Sequence, residues 1–261
     1  MSKTYFNEKM TTAFLTIQKV FDELDIDAYL IGAQARDVWF FPKKATRYTR
    51  DIDWIIANSN EDVFNEFKNI LIQREGFTPT SNPLKIKSSD GIEVDLIPFD
   101  YPETPHFMGL YEIFERGTKG VSFDDGKVYQ VATLPAIVLL KLIAWDNRPE
   151  NRTKDVVDIN YIMQNFDIHS DDFYDNHIDL LDIFDLDFES DFVRARVIGR
   201  KMSQIIADSL HLKNHIIKIL ENQIISPDKS KIIDIMVANT EKTENYALNQ
   251  LKELLIGLNE T

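Results

Sequence analysis

Three aspartates in this 261-residue chain stand where the sequence otherwise builds buried strands. In Thr49-Arg-Asp51-Ile-Asp53-Trp-Ile-Ile-Ala57, the period of two places Asp51 and Asp53 on one face, with Ile52, Trp54 and Ile56 on the other. Two neighbouring carboxylates repel, and each resists desolvation, so the pair is costly without a compensating charge. Magnesium removes that cost, because it takes hard oxygen ligands, usually one or two carboxylates completed by phosphates and waters. In Glu93-Val-Asp95-Leu-Ile-Pro-Phe99 a third carboxylate interrupts an apolar alternation. If this strand neighbours the first, Asp95 faces the pair, and three carboxylates suit a two-metal Mg2+ site acting on phosphoryl groups. Asp95 is then a general base or the ligand of the attacking-side ion. The competing reading is three strand-end aspartates facing water.

A second feature lies upstream. Ile31-Gly-Ala-Gln-Ala-Arg-Asp37 follows a short apolar run and opens a helix. Gly32 lets the backbone approach a ligand, and the free amides of a helix start favour phosphate. Arg36 either meets phosphate or pairs with Asp37 or Asp53.

The elements that position these residues follow from periodicity. Helical spacing over 6–24 and 33–41, an apolar run over 28–31, and strands over 52–57 and 92–99 surround the aspartates. Asn58-Ser-Asn60 offers caps for a helix that carries Val63, Phe64, Phe67, Ile70 and Leu71. Val121–Phe123 and Val128–Val131 flank Asp124-Asp-Gly126, a hairpin signal. From Leu134 onward the spacing is helical throughout. The expected fold is therefore α+β, a mixed β-sheet flanked by helices and followed by an all-helical C-terminal region. We divide the chain at 133/134, with 134–166 completing the active site. No Gly- or Pro-rich linker separates the halves, so they are expected to pack together.

Composition narrows the function classes. The chain has no cysteine, which excludes thiolate chemistry, and no apolar run of the roughly 20 residues that span a bilayer. A cytoplasmic protein with no membrane partner is expected. The formal net charge is −14. Residues 155–261 hold 10 basic and 20 acidic groups, and an aspartate series runs through Asp171, Asp172, Asp175, Asp179, Asp182, Asp185, Asp187 and Asp191. Such a surface repels nucleic acid and reads as a solvated acidic face or a partner-docking one. Lys43, Lys44, Arg47, Arg50, Lys85 and Lys87, with Trp39, Phe40, Phe41 and Tyr48 among them, form a basic set for an RNA end or triphosphate, or an ordinary surface loop. His211 and His215 have ligand spacing without a third ligand. No Walker A or G-x-G-x-x-G sequence occurs, and Ser89-Asp-Gly91 is a turn rather than a nucleophile elbow.

Gly32-Ala33, Thr49-Arg-Asp51-Ile-Asp53 and Val94-Asp95-Leu96 together resemble the motifs of the polymerase-beta-type nucleotidyltransferase superfamily. Leu30-Ile-Gly-Ala-Gln-Ala-Arg-Asp37, Arg47-Tyr-Thr-Arg-Asp-Ile-Asp53 and the stretch from Leu134 through Lys141 to Lys154-Asp155-Val-Val-Asp158 are most similar to its AbiEii/AbiGii toxin-like members. The resemblance spans residues 25–165, roughly, and leaves the helical remainder unmatched. It implies that Gly32 and Ala33 hold the triphosphate, with Asp51, Asp53 and Asp95 on the metals. Lys141 and Lys154 neutralise phosphate charge, and Asp155 and Asp158 orient those lysines or the second substrate. Ala33, where the family usually has Gly or Ser, keeps the amide but supplies no hydroxyl, and Phe41-Pro-Lys-Lys-Ala-Thr-Arg47 is an inserted loop. The implied reaction is magnesium-dependent transfer of a nucleoside monophosphate from an NTP to an acceptor hydroxyl. The toxin-like group points to the 3′ end of tRNA and to an antitoxin partner, while a protein hydroxyl or an aminoglycoside stays open. The other readings are a catalytically degenerate binding protein on the same fold, and a regulator that works through its helical half.

Overall fold

The computed structural model describes residues 5–42, 49–57, 60–98, 110–168, 175–183 and 190–260. The chain divides into two compact units, Met1–Thr133 and Leu134–Thr261.

The first unit is built on a seven-stranded mixed sheet. Its strands are β1 (Ala28–Ile31), β2 (Asp51–Ile56), β3 (Thr78–Pro79), β4 (Lys85–Lys87), β5 (Glu93–Pro98), β6 (Thr118–Ser122) and β7 (Val128–Ala132), in the spatial order β3-β4-β5-β2-β1-β7-β6. The β2–β5 and β1–β7 pairs are parallel and the remaining pairs antiparallel. Its helices are α1 (Glu8–Glu23), α2 (Gly32–Phe40), α3 (Glu61–Gln73) and α4 (Leu110–Gly117).

Alternation along β2 decides which residues go inward. Ile52, Trp54 and Ile56 are buried, whereas Asp51 and Asp53 on the opposite face are half-buried. Phe14 and Phe21 of α1 lie 5.2 and 5.3 Å from the Trp54 ring, and Phe21 stacks on Phe67 of α3 at 4.5 Å. Burying each of these large side chains contributes about 1.5–3 kcal/mol, which fixes the apolar face and turns the acids outward. Tyr29 of β1 stacks on Phe114 of α4. The side chains of Asn7 and Asn60 accept from the amides of Met10 and Val63 and so cap α1 and α3. The hairpin expected around Gly126 is β6–β7. Pro98 ends β5, an interior strand. Asn58, Ser59, Phe99 and residues 43–48 lie outside the described residues.

The second unit contains α5 (Leu134–Asn147), α6 (Thr153–Asn165), α7 (Asp179–Ile183), α8 (Ser190–Ile205), α9 (Leu210–Ile225), α10 (Lys231–Ala238) and α11 (Glu244–Asn259). Among its described residues there is no strand. The expected class, a mixed sheet flanked by helices and then an all-helical region, is the one observed. The α8 and α11 helices meet through Gly199 and Gly257.

Candidate active site

The register of the sheet gathers the acids. In the parallel β2–β5 pair Asp51 stands opposite Glu93 and Asp53 opposite Asp95. Partners in register point to the same side of a sheet, and adjacent strands lie about 4.8 Å apart. The result is a two-by-two array of carboxylates, in which Glu93 is a fourth member beside the three expected aspartates. On the other side of β2, Ile31 of β1 pairs with Asp53, so Gly32 follows immediately beside that carboxylate.

Gly32 opens α2 with φ +70°, and a β-carbon there would lie 2.0 Å from Oδ2 of Asp53. Both the backbone conformation and the space demand glycine. The Asp53 carboxylate thus rests against the first residue of a helix, where the positive end of the helix dipole favours negative charge.

Lys85 completes the array from the next strand. The antiparallel β4–β5 register pairs Lys85 with Asp95, and its Nζ lies 3.0 Å from Oε2 of Glu93 and 3.2 Å from Oδ2 of Asp95. Burial drives the Asp95 carboxyl up. The charge and hydrogen bond of Lys85 pull it down, the Asp51 charge adds to the rise, a hydrogen bond with Asp53 opposes it, and the net direction is upward. Burial disfavours the Lys85 ammonium, but its two carboxylate partners outweigh that and raise it. The hydrogen bond from Lys85 holds Glu93 below the usual glutamate range. The sequence reads Lys85 as one of a basic set for an RNA end or triphosphate, or as part of an ordinary surface loop. Its strand instead turns it into the carboxylate array, while Lys43, Lys44, Arg47 and Tyr48 lie outside the described residues. Trp39 of the same set donates to the carbonyl of Ala132 and Phe40 is buried, so neither is offered to a base.

Arg36 is fully buried, with Nε and Nη2 donating to Oδ1 of Asp37 at 2.8 and 2.5 Å. The pairing with Asp37, one of its expected alternatives, is thus present in the geometry. Ala33 is buried in the first turn of α2.

In the second unit Lys141 of α5 is nearly buried and lies 2.8 Å from Oδ1 of Asp155 and 2.7 Å from Oδ2 of Asp158, both on α6. Arg152 reaches Oδ2 of Asp155 at 3.5 Å. Lys154 is exposed. The Asp155 and Asp158 pair thus orients Lys141. His215 lies 3.6 Å from Asp146 and both are half-exposed. Of the aspartate series, Asp179 is engaged by Arg200, and Asp191 accepts from Arg194 and Tyr246. Asp179 is thus an exposed ion-pair partner, and Asp191 a largely buried one. Asp171, Asp172, Asp185, Asp187 and the side chain of Asp182 lie outside the described residues.

Among the described residues no group of three or more His, Cys, Asp or Glu side chains surrounds a common point in the manner of a metal cage. The donor chemistry is nonetheless that of a hard cation. Asp53 and Asp95 are adjacent carboxylates in register, and burial, with the Asp51 charge adding to it, raises Asp95, a penalty on its charged form that a bound cation offsets. The pair fits the usual demand of magnesium for one or two protein carboxylates with the remaining positions left to substrate. No helix among the described residues is long and apolar enough to cross a membrane.

No family model matches the chain, and no curated protein does. Solved structures similar to it include the antibiotic-resistance factor ANT(2'')-Ia in solution, 15% identical, with 59% of this chain and 82% of that one covered and a TM-score of 0.41. The crystal structure of ANT(2'')-Ia with adenylyl-2''-tobramycin is similar at 16% identity, covering 58% and 86%, with a TM-score of 0.41. An antigenic nucleotidyltransferase-like protein from Paracoccidioides brasiliensis is similar at 17% identity, covering 70% of this chain and 90% of that one, with a TM-score of 0.43.

Proposed function

We propose that this chain is a nucleotidyltransferase that moves a nucleoside monophosphate from an NTP to an acceptor hydroxyl and releases pyrophosphate. The observation that carries the reading is the Asp53–Asp95 pair in parallel register, with Gly32 packed against Asp53. Carboxylates held side by side on an otherwise buried sheet, next to a glycine that opens a helix, suit the grip of a metal-bound triphosphate. Asp51, Asp53 and Asp95 would hold Mg2+, which when bound neutralises phosphate charge and activates the attacking hydroxyl. Gly32 and Ala33 present main-chain amides of the first turn of α2 to the phosphates. Asp95 is the third carboxylate, as general base or metal ligand. In the second unit, Lys154 is the exposed member of the set assigned to nucleotide binding, and Asp155 and Asp158 hold Lys141 in place.

The resemblance of the Gly32 and Asp51–Asp53 segments to toxin-like nucleotidyltransferases supports the 3′ end of tRNA as acceptor, and with it a toxin role and a protein antitoxin. A protein hydroxyl or a small molecule is the alternative acceptor. The test incubates the protein with each labelled NTP, Mg2+ and total RNA, and repeats the assay with Asp51→Ala and Asp53→Ala. Label should move to one acceptor class in the wild type and fall by at least about a hundredfold in both variants. Transfer that survives both substitutions rejects the site. Triphosphate binding without transfer to any acceptor favours a binding protein on the same fold.

A further inference from the structure

The array of four carboxylates holds its own cation, and the placement of that cation has a consequence for metal binding. Lys85 is less than a quarter exposed and is shared between Glu93 and Asp95, two residues apart on one face of β5. Its amine therefore lies 3.2 Å from Oδ2 of Asp95, the carboxylate that a divalent ion would share. An ammonium and a metal ion on one carboxylate repel each other, because their positive charges then lie within a few ångströms. Glu93 offers an exit. It already accepts from Lys85 at 3.0 Å, against 3.2 Å for Asp95, and its side chain is 41% exposed.

We propose that Lys85 is the resident counter-cation of Asp95 and is exchanged for the metal, with Glu93 retaining the ammonium when the metal takes Asp95. This rests on the metal-binding reading of Asp53 and Asp95 given above. In the metal-free protein Lys85 offsets the like charges of the array and keeps Asp95 placed. When the metal enters, Lys85 swings wholly onto Glu93, so the array sheds one cation from Asp95 as it gains another. Lys85 and Glu93 are thus positioning residues, acting through Asp95.

The experiment measures Mn2+ affinity from the electron paramagnetic resonance signal of the free ion, without nucleotide, for the full chain. Lys85→Met removes the competitor and should tighten Mn2+ binding by about three- to tenfold; Lys85→Gln repeats the measurement with a polar side chain, and Lys85→Arg, which keeps the charge, should stay within about twofold of wild type. Glu93→Gln leaves Lys85 with Asp95 alone and should weaken binding by a similar factor. The double variant separates exchange from simple field effects. If Glu93 acts by holding Lys85, Glu93→Gln has little effect once Lys85 is Met, whereas independent charges give additive changes. Additivity, or an affinity in Lys85→Met and Lys85→Gln equal to or below wild type, overturns the exchange. If wild type binds Mn2+ no better than Asp53→Asn, the metal reading itself falls, and the exchange falls with it.

Discussion

The Asp53 carboxylate rests on Gly32, and the contact is so close that a β-carbon at position 32 would lie 2.0 Å from Oδ2. Asp53 is thereby held beside the start of α2 and opposite Asp95 at once. Gly32→Ala should lower stability through two separable causes. The left-handed backbone costs an alanine about 1–2 kcal/mol, and the clash must push Asp53 from its place. A total loss of about 2 kcal/mol corresponds to a fall of roughly 4–8 °C in the melting temperature. In an Asp53→Ala background the steric part disappears, so the same substitution should cost about 1 kcal/mol. Thermal melts of the four proteins check this, and an equal cost in both backgrounds would refute the contact.

The acids on β2 are legible in the sequence because period two is enforced by burial: Ile52, Trp54 and Ile56 can face only the aromatic core, so Asp51 and Asp53 must face the other way. Asp95 is legible for the same reason on its own strand. What one-dimensional spacing does not carry is the register between strands some forty residues apart, which sets Asp53 against Asp95 and brings in Glu93. Lys85 is less legible still. Its strand has three residues with Ile86 as the one buried member, too short for alternation to stand out, so a lysine aimed at the acids reads as surface charge. Arg36 and Asp191 show the same limit, since a charged residue in a helix does not announce whether its partner lies in water or in the protein. The α4 helix carries apolar residues at 110, 113 and 114, a spacing too brief to be read as an element alone.

The Lys141 cluster makes a sharp stability prediction for the second unit. Asp158 is fully buried, and Lys141 is its ion-pair partner. Removing Asp158 leaves Lys141 with Asp155 alone, and breaking a buried pair costs up to about 3–5 kcal/mol. Asp158→Ala should therefore destabilise by about 3 kcal/mol in urea titration, while Lys154→Ala, at an exposed position, stays within about 0.5 kcal/mol. Similar losses for the two variants would show that the cluster contributes little.

Gly199 and Gly257 face main chain rather than side chains. A β-carbon at 199 would meet the Leu254 carbonyl oxygen at 2.2 Å, and one at 257 the Arg196 carbonyl oxygen at 2.1 Å. Alanine is the better helix former by about 1 kcal/mol, yet here backbone must move to admit it. The clash should win, with a net loss of about 1–3 kcal/mol for either single substitution to Ala. Because both lie at one crossing of α8 and α11, the double variant should lose less than the sum. Differential scanning calorimetry of the three variants tests this, and a stabilised Gly199→Ala would exclude the close packing.

Acid should loosen the same unit through Arg200. Its guanidinium bonds Asp179 at 2.8 and 2.6 Å and Glu260 at 2.6 Å, and Arg196 adds a bond to Glu260 at 2.9 Å. The bonds from Arg200 hold Asp179 below its ordinary carboxylate value of 3.8. Burial alone would raise Glu260 above its ordinary 4.5, but bonds from Arg196 and Arg200 outweigh it and the carboxyl is lowered. A carboxyl depressed in the folded state adds stability that is present above its unfolded value and is lost as the pH falls through the folded one. Glu253, which burial raises against the pull of Arg196, works in the opposite sense, since its share is lost as pH rises. With two depressed groups against one raised, helical melts should weaken from about pH 5 to about pH 3. Arg200→Met removes the cause of the Asp179 depression and one of the three guanidinium bonds to Glu260, so its melting temperature should depend less on pH over that window. A variant as acid-sensitive as the wild type would assign the acid response to other carboxylates.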